Sequence, residues 1–300
     1  IYALIALGYT MVYGILRIIN FAHGDILMVG ALTTLSGMHA LNAHFPTLPP
    51  LAQLGLALLL AMTVCALLAM AVERFAYRRL RNAPRLAPLI SGIGVSVLLQ
   101  TVAMIVWSRN PLMFPQILPM DPIAVTHGSA AHPPALITVT GIVTVALALT
   151  VMLGLWLLVE YTRLGRGMRA VAENPRIATL MGVNPNAIIA LTFAIGGVFA
   201  ALAGVMMASN YGSAGFSMGF LPGIKAFTAA VLGGIGNIRG AMIGGLLLGL
   251  IESLGAGYLG DLTHGVFGSN YQDIFACMVL ILVLVFRPAG LLGERVAHRA

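Results

Sequence analysis

The chain has 300 residues, is 59% hydrophobic and only 8% charged, and its sixteen bases and nine acids give a formal charge of +7. Soluble domains carry about 25% charged residues, so these groups are too few to cover a soluble body, and the mean hydropathy of +0.97 agrees. A soluble enzyme, a disordered chain and a secreted disulfide scaffold are set aside in favour of a polytopic membrane protein.

A sequence pI near 9.9 would suit nucleic acid in a soluble protein. No nucleic-acid motif accompanies it, so no such partner is expected and the arginines are read as held on one side of a bilayer. Cys65 and Cys277 each lie inside an apolar run, which suits packing residues better than a disulfide or a metal pair. No basic stretch precedes a short apolar one, so no secretory leader is expected.

A spanning helix needs about 20 apolar residues. The first run, Ile1 to Ile15, falls short of that, which suggests that residues precede Ile1. Ile26 to Leu41 begins just after Asp25. Leu54 to Val72, Leu86 to Trp107, Ala135 to Val159 and Ala187 to Ala208 all meet the length. A short Gly-rich region from Leu221 to Ile235 separates the sixth span from the seventh. Ala241 to Tyr258 contains Glu252, and Tyr271 to Phe286 stops before Arg287-Pro288. The expectation is an all-α, polytopic membrane helix bundle of about eight spans, forming one transmembrane domain over 1–300.

Charge orients it. Arg74, Arg78, Arg79, Arg81 and Arg85 follow the third span, and Arg163, Arg166, Arg169 and Arg176 follow the fifth. With Arg17, Arg239 and the C-terminal arginines, fourteen of the sixteen bases fall on one side; Arg109 and Lys225 do not. The positive-inside rule makes that side cytoplasmic, with the N-terminus outside and the C-terminus inside. The outer loops, the Pro-rich Asn110 to Pro134 and Gly260 to Gln272, carry no bases. Small-xxx-small spacing at Gly240/Gly244, Gly245/Gly249, Gly197/Ala201 and Ala200/Gly204 predicts close helix packing.

The cytoplasmic loop Glu160 to Asn186 holds the clearest local signal. Asn174 suits an N-cap, Pro175 the first helical position and Gly182 the C′ position, which predicts a helix over Pro175 to Met181. Ile177, Leu180 and Met181 then share one face. Two readings fit: an amphipathic helix lying on lipid headgroups, or a docking helix that projects an apolar knob into another protein.

This loop resembles the coupling loop of ABC importer permeases, in particular the LivH branch of branched-chain amino acid importers. Tyr9 to Asp25 (YTMVYGILRIINFAHGD) and Lys225 to Gly245 (KAFTAAVLGGIGNIRGAMIGG) resemble that branch's two signatures. Asn237-Ile238-Arg239 departs from it, where a small residue and Pro are frequent. The resemblance implies ATPase coupling by Arg169, Glu173, Asn174, Pro175, Arg176, Ile177, Leu180, Met181 and Gly182. It implies a multi-pass subunit of the bacterial inner membrane that moves leucine, isoleucine and valine. Its partners would be a homologous LivM-type permease, two cytoplasmic ABC ATPases holding ATP and Mg, and a periplasmic amino-acid-binding protein. An ABC permease for urea, short amides or other amino acids is the alternative, with an ion-coupled carrier behind it. The chain has no G-x-x-x-x-G-K-[ST] loop, so it is not expected to be an enzyme or to hold a cofactor.

Polar residues within apolar runs are the candidates for a translocation path: Asn20, His23, Asp25, Thr228 and Glu252, with Ala226 to Gly240 as a wall. Structural alternatives stand beside them. His23 and Asp25 would cap the second helix and pair with Arg17; Glu252 would bond to a neighbouring helix; Lys225 would anchor at the outer interface. The histidines are scattered and mark no metal site. No pair of acids and no Ser–His pair has a spacing that suggests catalysis.

Overall fold

The computed structural model describes residues 1–81, 83–84, 86–117, 122–124, 136–262, 271–287 and 290–293. Nine apolar helices run through them: α1 (Tyr2–Leu16), α2 (His23–His44), α3 (Pro50–Val72), α4 (Leu86–Val106), α5 (Val139–Tyr161), then, after two short polar helices, α6 (Arg163–Glu173) and α7 (Pro175–Leu180), α8 (Pro185–Tyr211), α9 (Phe220–Gly233), α10 (Ile238–Leu262) and α11 (Gln272–Phe286). Six of the nine, α2, α3, α4, α5, α8 and α10, are long and apolar enough to cross a bilayer. Helix α3 continues through a π-helical turn, Glu73–Tyr77, and a 3₁₀ turn, Arg78–Leu80.

The count differs from the expected eight. The Gly-rich stretch from Leu221 is a helix of 14 residues in its own right. It begins beside Gly219 and ends at Gly234, whose φ of 106° closes it. Glycine lowers helix propensity in isolation, but packing overrides it. Two short ladders complete the fold. β1 (Leu112–Met113) pairs antiparallel with β4 (Ser213–Ala214), and β2 (Pro122–Ala124) pairs with β3 (Leu136–Thr138).

Helix α1 is buried without a break from Ala3 to Val12, so it lies inside the bundle. It packs mainly on α8, α10 and α9, while α2, α3 and α8 form the densest part of the bundle. Helix α3 shows the rule: Ala57, Ala61, Cys65 and Ala69 face inward at four-residue spacing, while Leu56, Leu59, Leu60 and Leu67 face outward. Lipid tails are as apolar as leucine, so no hydrophobic force pulls leucines together in a bilayer; small residues instead let backbones meet.

Those meetings are close. A Cβ on Gly204 would sit 2.2 Å from the Leu27 carbonyl oxygen, and one on Gly197 would sit 2.4 Å from that of Cys65. The small-xxx-small pairs are therefore contact points, and Gly244 and Gly245 likewise admit the backbones of Ala229 and Ala3. By contrast, Gly94 on α4 faces open space.

This contrast sets a test. Gly204→Ala must push α8 off α2, at about 1–3 kcal/mol for overpacking. A lower midpoint of thermal unfolding in detergent is expected. Gly94→Ala should leave that midpoint unchanged or raise it, because alanine is the better helix former by about 1 kcal/mol.

Candidate coupling and translocation sites

The 160–186 element, expected to be cytoplasmic, is built by local hydrogen bonds. Helix α5 ends at Tyr161, and Thr162 Oγ1 accepts from Gly165 N at 3.1 Å to start α6. Gly165 is required here, since a Cβ would lie 2.0 Å from the Val159 carbonyl oxygen where α6 doubles back on α5. Met168 and Val171 are buried as α6 packs on α1 and α8. Arg169, expected to couple to an ATPase, is exposed, and its guanidinium donates to the Val159 and Glu160 carbonyls and lies 3.9 Å from the Glu160 carboxylate. It therefore satisfies carbonyls that the end of α5 leaves unpaired.

Helix α7 forms where the capping signals place it. Asn174 Oδ1 accepts from the backbone N–H of Arg176 at 3.0 Å and of Ile177 at 3.2 Å, with Pro175 at the first position. Gly182 has φ +83°, and the N–H groups of Gly182 and Val183 close on the Thr179 and Ala178 carbonyls. The helix stops at Leu180, and Met181 is its C-cap. Ala178 is buried beneath it. Ile177, Leu180 and Met181 are 58%, 85% and 79% exposed, so three large apolar side chains stand out from this loop uncovered by the chain itself. Glu173 and Arg176 are exposed beside them. Asn184 then repeats the cap for α8, accepting from Asn186 N and Ala187 N.

The five path candidates do not share one site. Asn20 lies in the connection between α1 and α2, where its Oδ1 accepts from the Tyr77 hydroxyl at 3.0 Å. His23 packs edge-on against Tyr9, with ring centroids 5.0 Å apart, in the space left by Gly8. Asp25 neither caps α2 nor meets Arg17: its Oδ1 accepts from Gln100 Nε2 of α4 at 2.9 Å, and that amide also donates to Ser96 Oγ. Thr228 donates to the Ile224 carbonyl of its own helix. Glu252 belongs to a separate ionic cluster. Its Oε1 accepts from Lys225 Nζ and from the Tyr2 hydroxyl at 3.2 Å, while Lys225 also lies 2.6 Å from Asp273. Lys225 thus binds α9 to α10, α11 and α1 rather than only anchoring at an interface.

All five candidates are buried, at 2% exposure or less. None lines the cavity of about 90 Å³ between α1, α5, α6 and the start of α10, whose walls include Thr10, Met11, Gly14, Met168 and Arg169. Near that cavity the departure at Asn237-Ile238-Arg239 has a local role. Asn237 Oδ1 accepts from Gly240 N at 3.1 Å, and the Arg239 guanidinium stacks 5.3 Å from the centroid of the Trp156 ring.

Sequence reasoning missed Glu73. It directly follows the third span, and it is fully buried and held by both Arg78 and Arg81. A lone acid at the end of an apolar run, with arginines five and eight positions on, is the signal that was available.

A family model described as branched-chain amino acid transport system / permease component matches residues 1–284. The chain is 44% identical to the high-affinity branched-chain amino acid transport system permease protein BraD of Pseudomonas aeruginosa, over 98% of this chain and 92% of that one. It is 41% identical to the permease protein LivH of Salmonella typhimurium and 40% identical to that of Escherichia coli, in each case over 98% of this chain and 91% of the relative. With identity of this order along almost the whole bundle, from α1 through the α6–α7 loop to α11, the chain belongs to the branched-chain amino acid transport permease family.

Proposed function

We propose that this chain is the membrane-spanning permease subunit of an ATP-driven, binding-protein-dependent importer that moves leucine, isoleucine and valine across a bacterial inner membrane. The observation that carries this reading is α7: a doubly capped helix whose apolar residues Ile177, Leu180 and Met181 project from a base-rich loop, in a chain of this family. A helix meant to lie on headgroups would gain from a long apolar face, whereas six residues give only a knob. A knob on a rigid base suits a groove in a protein. ATP hydrolysis and its Mg belong to two separate cytoplasmic subunits, and a homologous LivM-type permease completes the membrane unit. A periplasmic binding protein supplies the amino acid.

Taking all nine apolar helices as crossings, the three shorter ones included, supports an N-terminus outside and a C-terminus inside, since an odd number carries the chain from one face to the other and the expected eight would not. Fourteen of the sixteen bases then face the cytoplasm. Among the path candidates Asp25 is favoured. Its hydrogen-bond partners are neutral, and no cation lies within ion-pair distance among the described residues. Glu252 is already matched by Lys225, so both it and Thr228 serve the packing of α9 and α10. An importer fed by a binding protein needs weak transient contacts, and a few polar groups in an apolar wall supply them.

Two experiments test this. In the assembled transporter, Leu180→Asp and Glu173→Lys should each lower substrate-stimulated ATPase activity by about tenfold or more, equivalent to about 1.4 kcal/mol of lost docking, with the permease still in the membrane. Unchanged stimulation would remove the docking role of α7. In proteoliposomes, labelled leucine, isoleucine and valine should enter with ATP and compete with one another, while urea should not enter. Urea uptake would move the assignment to the amide-transporting alternative.

A further inference from the structure

We propose that the π-helical turn Glu73–Tyr77 is a positioning link that joins the coupling loop to the buried polar group at the α1–α2 connection; the link rests on the coupling role given to α7 above. Its cytoplasmic end is ionic. Glu73 is fully buried, and its carboxylate accepts from Arg78 Nε at 3.2 Å and Arg78 Nη2 at 2.7 Å. Arg81 Nη2 donates to the same carboxylate, while Arg81 Nη1 donates to Asn186 Oδ1 at 2.7 Å. Asn186 stands four residues beyond Gly182, in the first turn of α8. Arg81 therefore ties the exit of the coupling loop to the end of α3.

The other end of the same turn points into the bundle. Tyr77 is fully buried, its ring lies 5.7 Å from that of Phe193, and its hydroxyl donates to Asn20 Oδ1 at 3.0 Å. The hydroxyl reaches Asn20 only because residue 92 is glycine; a Cβ there would lie 2.5 Å from it. Asn20 is three residues before His23 and five before Asp25. One turn thus holds the loop through Glu73 and the α1–α2 connection through Tyr77. A π-turn inside an α-helix is a less favourable geometry and recurs at functional positions. Here it rotates Glu73 and Tyr77 onto two different neighbours. Both ends are discrete hydrogen bonds on a packed element, exposed at Asn186 and buried at Asn20, so displacement of α8's first turn has a contiguous path through the chain to Asn20.

Coupling between two sites is reciprocal, and that supplies the test. The full chain in lipid nanodiscs is compared by amide hydrogen exchange with its Asn186→Ala, Asn186→Asp and Tyr77→Phe variants. Asn186→Ala should speed exchange across 17–25, and Tyr77→Phe should speed it across 182–190, each by about fivefold or more. Asn186→Asp keeps an acceptor for Arg81 and should leave 17–25 as in the parent. If each variant alters only its own surroundings, the link is overturned. A second arm uses the assembled transporter: Asn186→Ala should lower leucine moved per ATP hydrolysed by about fivefold, and Asn186→Asp should restore it. Unchanged stoichiometry in Asn186→Ala overturns the link. A parent assembly that moves no branched-chain amino acid overturns the functional reading instead, and the exchange result still decides the link.

Discussion

An acid inside a bilayer must find a partner, because moving an ionised carboxylate out of water is costly and the hydrocarbon offers no hydrogen bonds in return. Three carboxylates in or beside the spans of this chain, Asp25, Glu73 and Glu252, are buried to 1% exposure or less. Each finds its partner on a segment distant in sequence or across a helix end. Asp25 draws α4 onto α2 through Gln100. Glu73 gathers Arg78 and Arg81 and, through Arg81, the start of α8. Glu252 takes Lys225 and Tyr2, which binds α10 to α9 and α1. Removing one partner of such a buried pair costs about 3–5 kcal/mol, because the other charge is stranded. These contacts select one arrangement of helices from the many that apolar surfaces alone would allow.

Close backbone packing then fixes the distances. The α2, α3 and α8 contacts at Gly197 and Gly204 leave no room for a methyl group. Packed elements of that kind shift as bodies rather than deform gradually. The α6–α7 element is seated on this rigid part: α6 is packed against α1 and α8, and Arg169 pins it to the last carbonyls of α5. A push on α7 therefore meets a stiff base and not a free loop.

What could be read from the sequence follows how far apart the interacting residues are. Helix α7 was legible to within one residue, because Asn174, Pro175 and Gly182 act on their immediate neighbours. The close contacts at Gly197 and Gly204 were legible as a spacing, though not the carbonyls they meet. Helix α9 was not, since glycines that weaken a helix in isolation are there to admit Gly24 and Gly240. Asp25 was misjudged because its partner is 75 positions away in sequence, and Arg17 was the nearest base. The contacts of Arg169 were missed for the opposite reason, since they are local. An arginine in a cytoplasmic loop reads as free to meet a partner, whereas α6 folds back and delivers it to carbonyls ten and nine residues earlier.

The scarcity of charge also bears on how an amino acid would be handled. Glu73 and Glu252 are each paired with a base of this chain, Glu73 with two arginines and Glu252 with Lys225, which it shares with Asp273. Asp25 differs: Gln100 is a neutral donor, and its amide is shared with Ser96. A carboxylate held by two neutral side chains, Gln100 and Ser96, is the member of the set whose environment an arriving ammonium would improve most. It also lies five residues from Asn20, where the turn bearing Tyr77 makes contact. Asp25, the path residue proposed above, and Asn20, which the proposed link ties to the α6–α7 loop, thus lie within one short stretch, Arg17 to Asp25. An apolar wall with one such group would hold an amino acid weakly, which is what release into the cytoplasm requires.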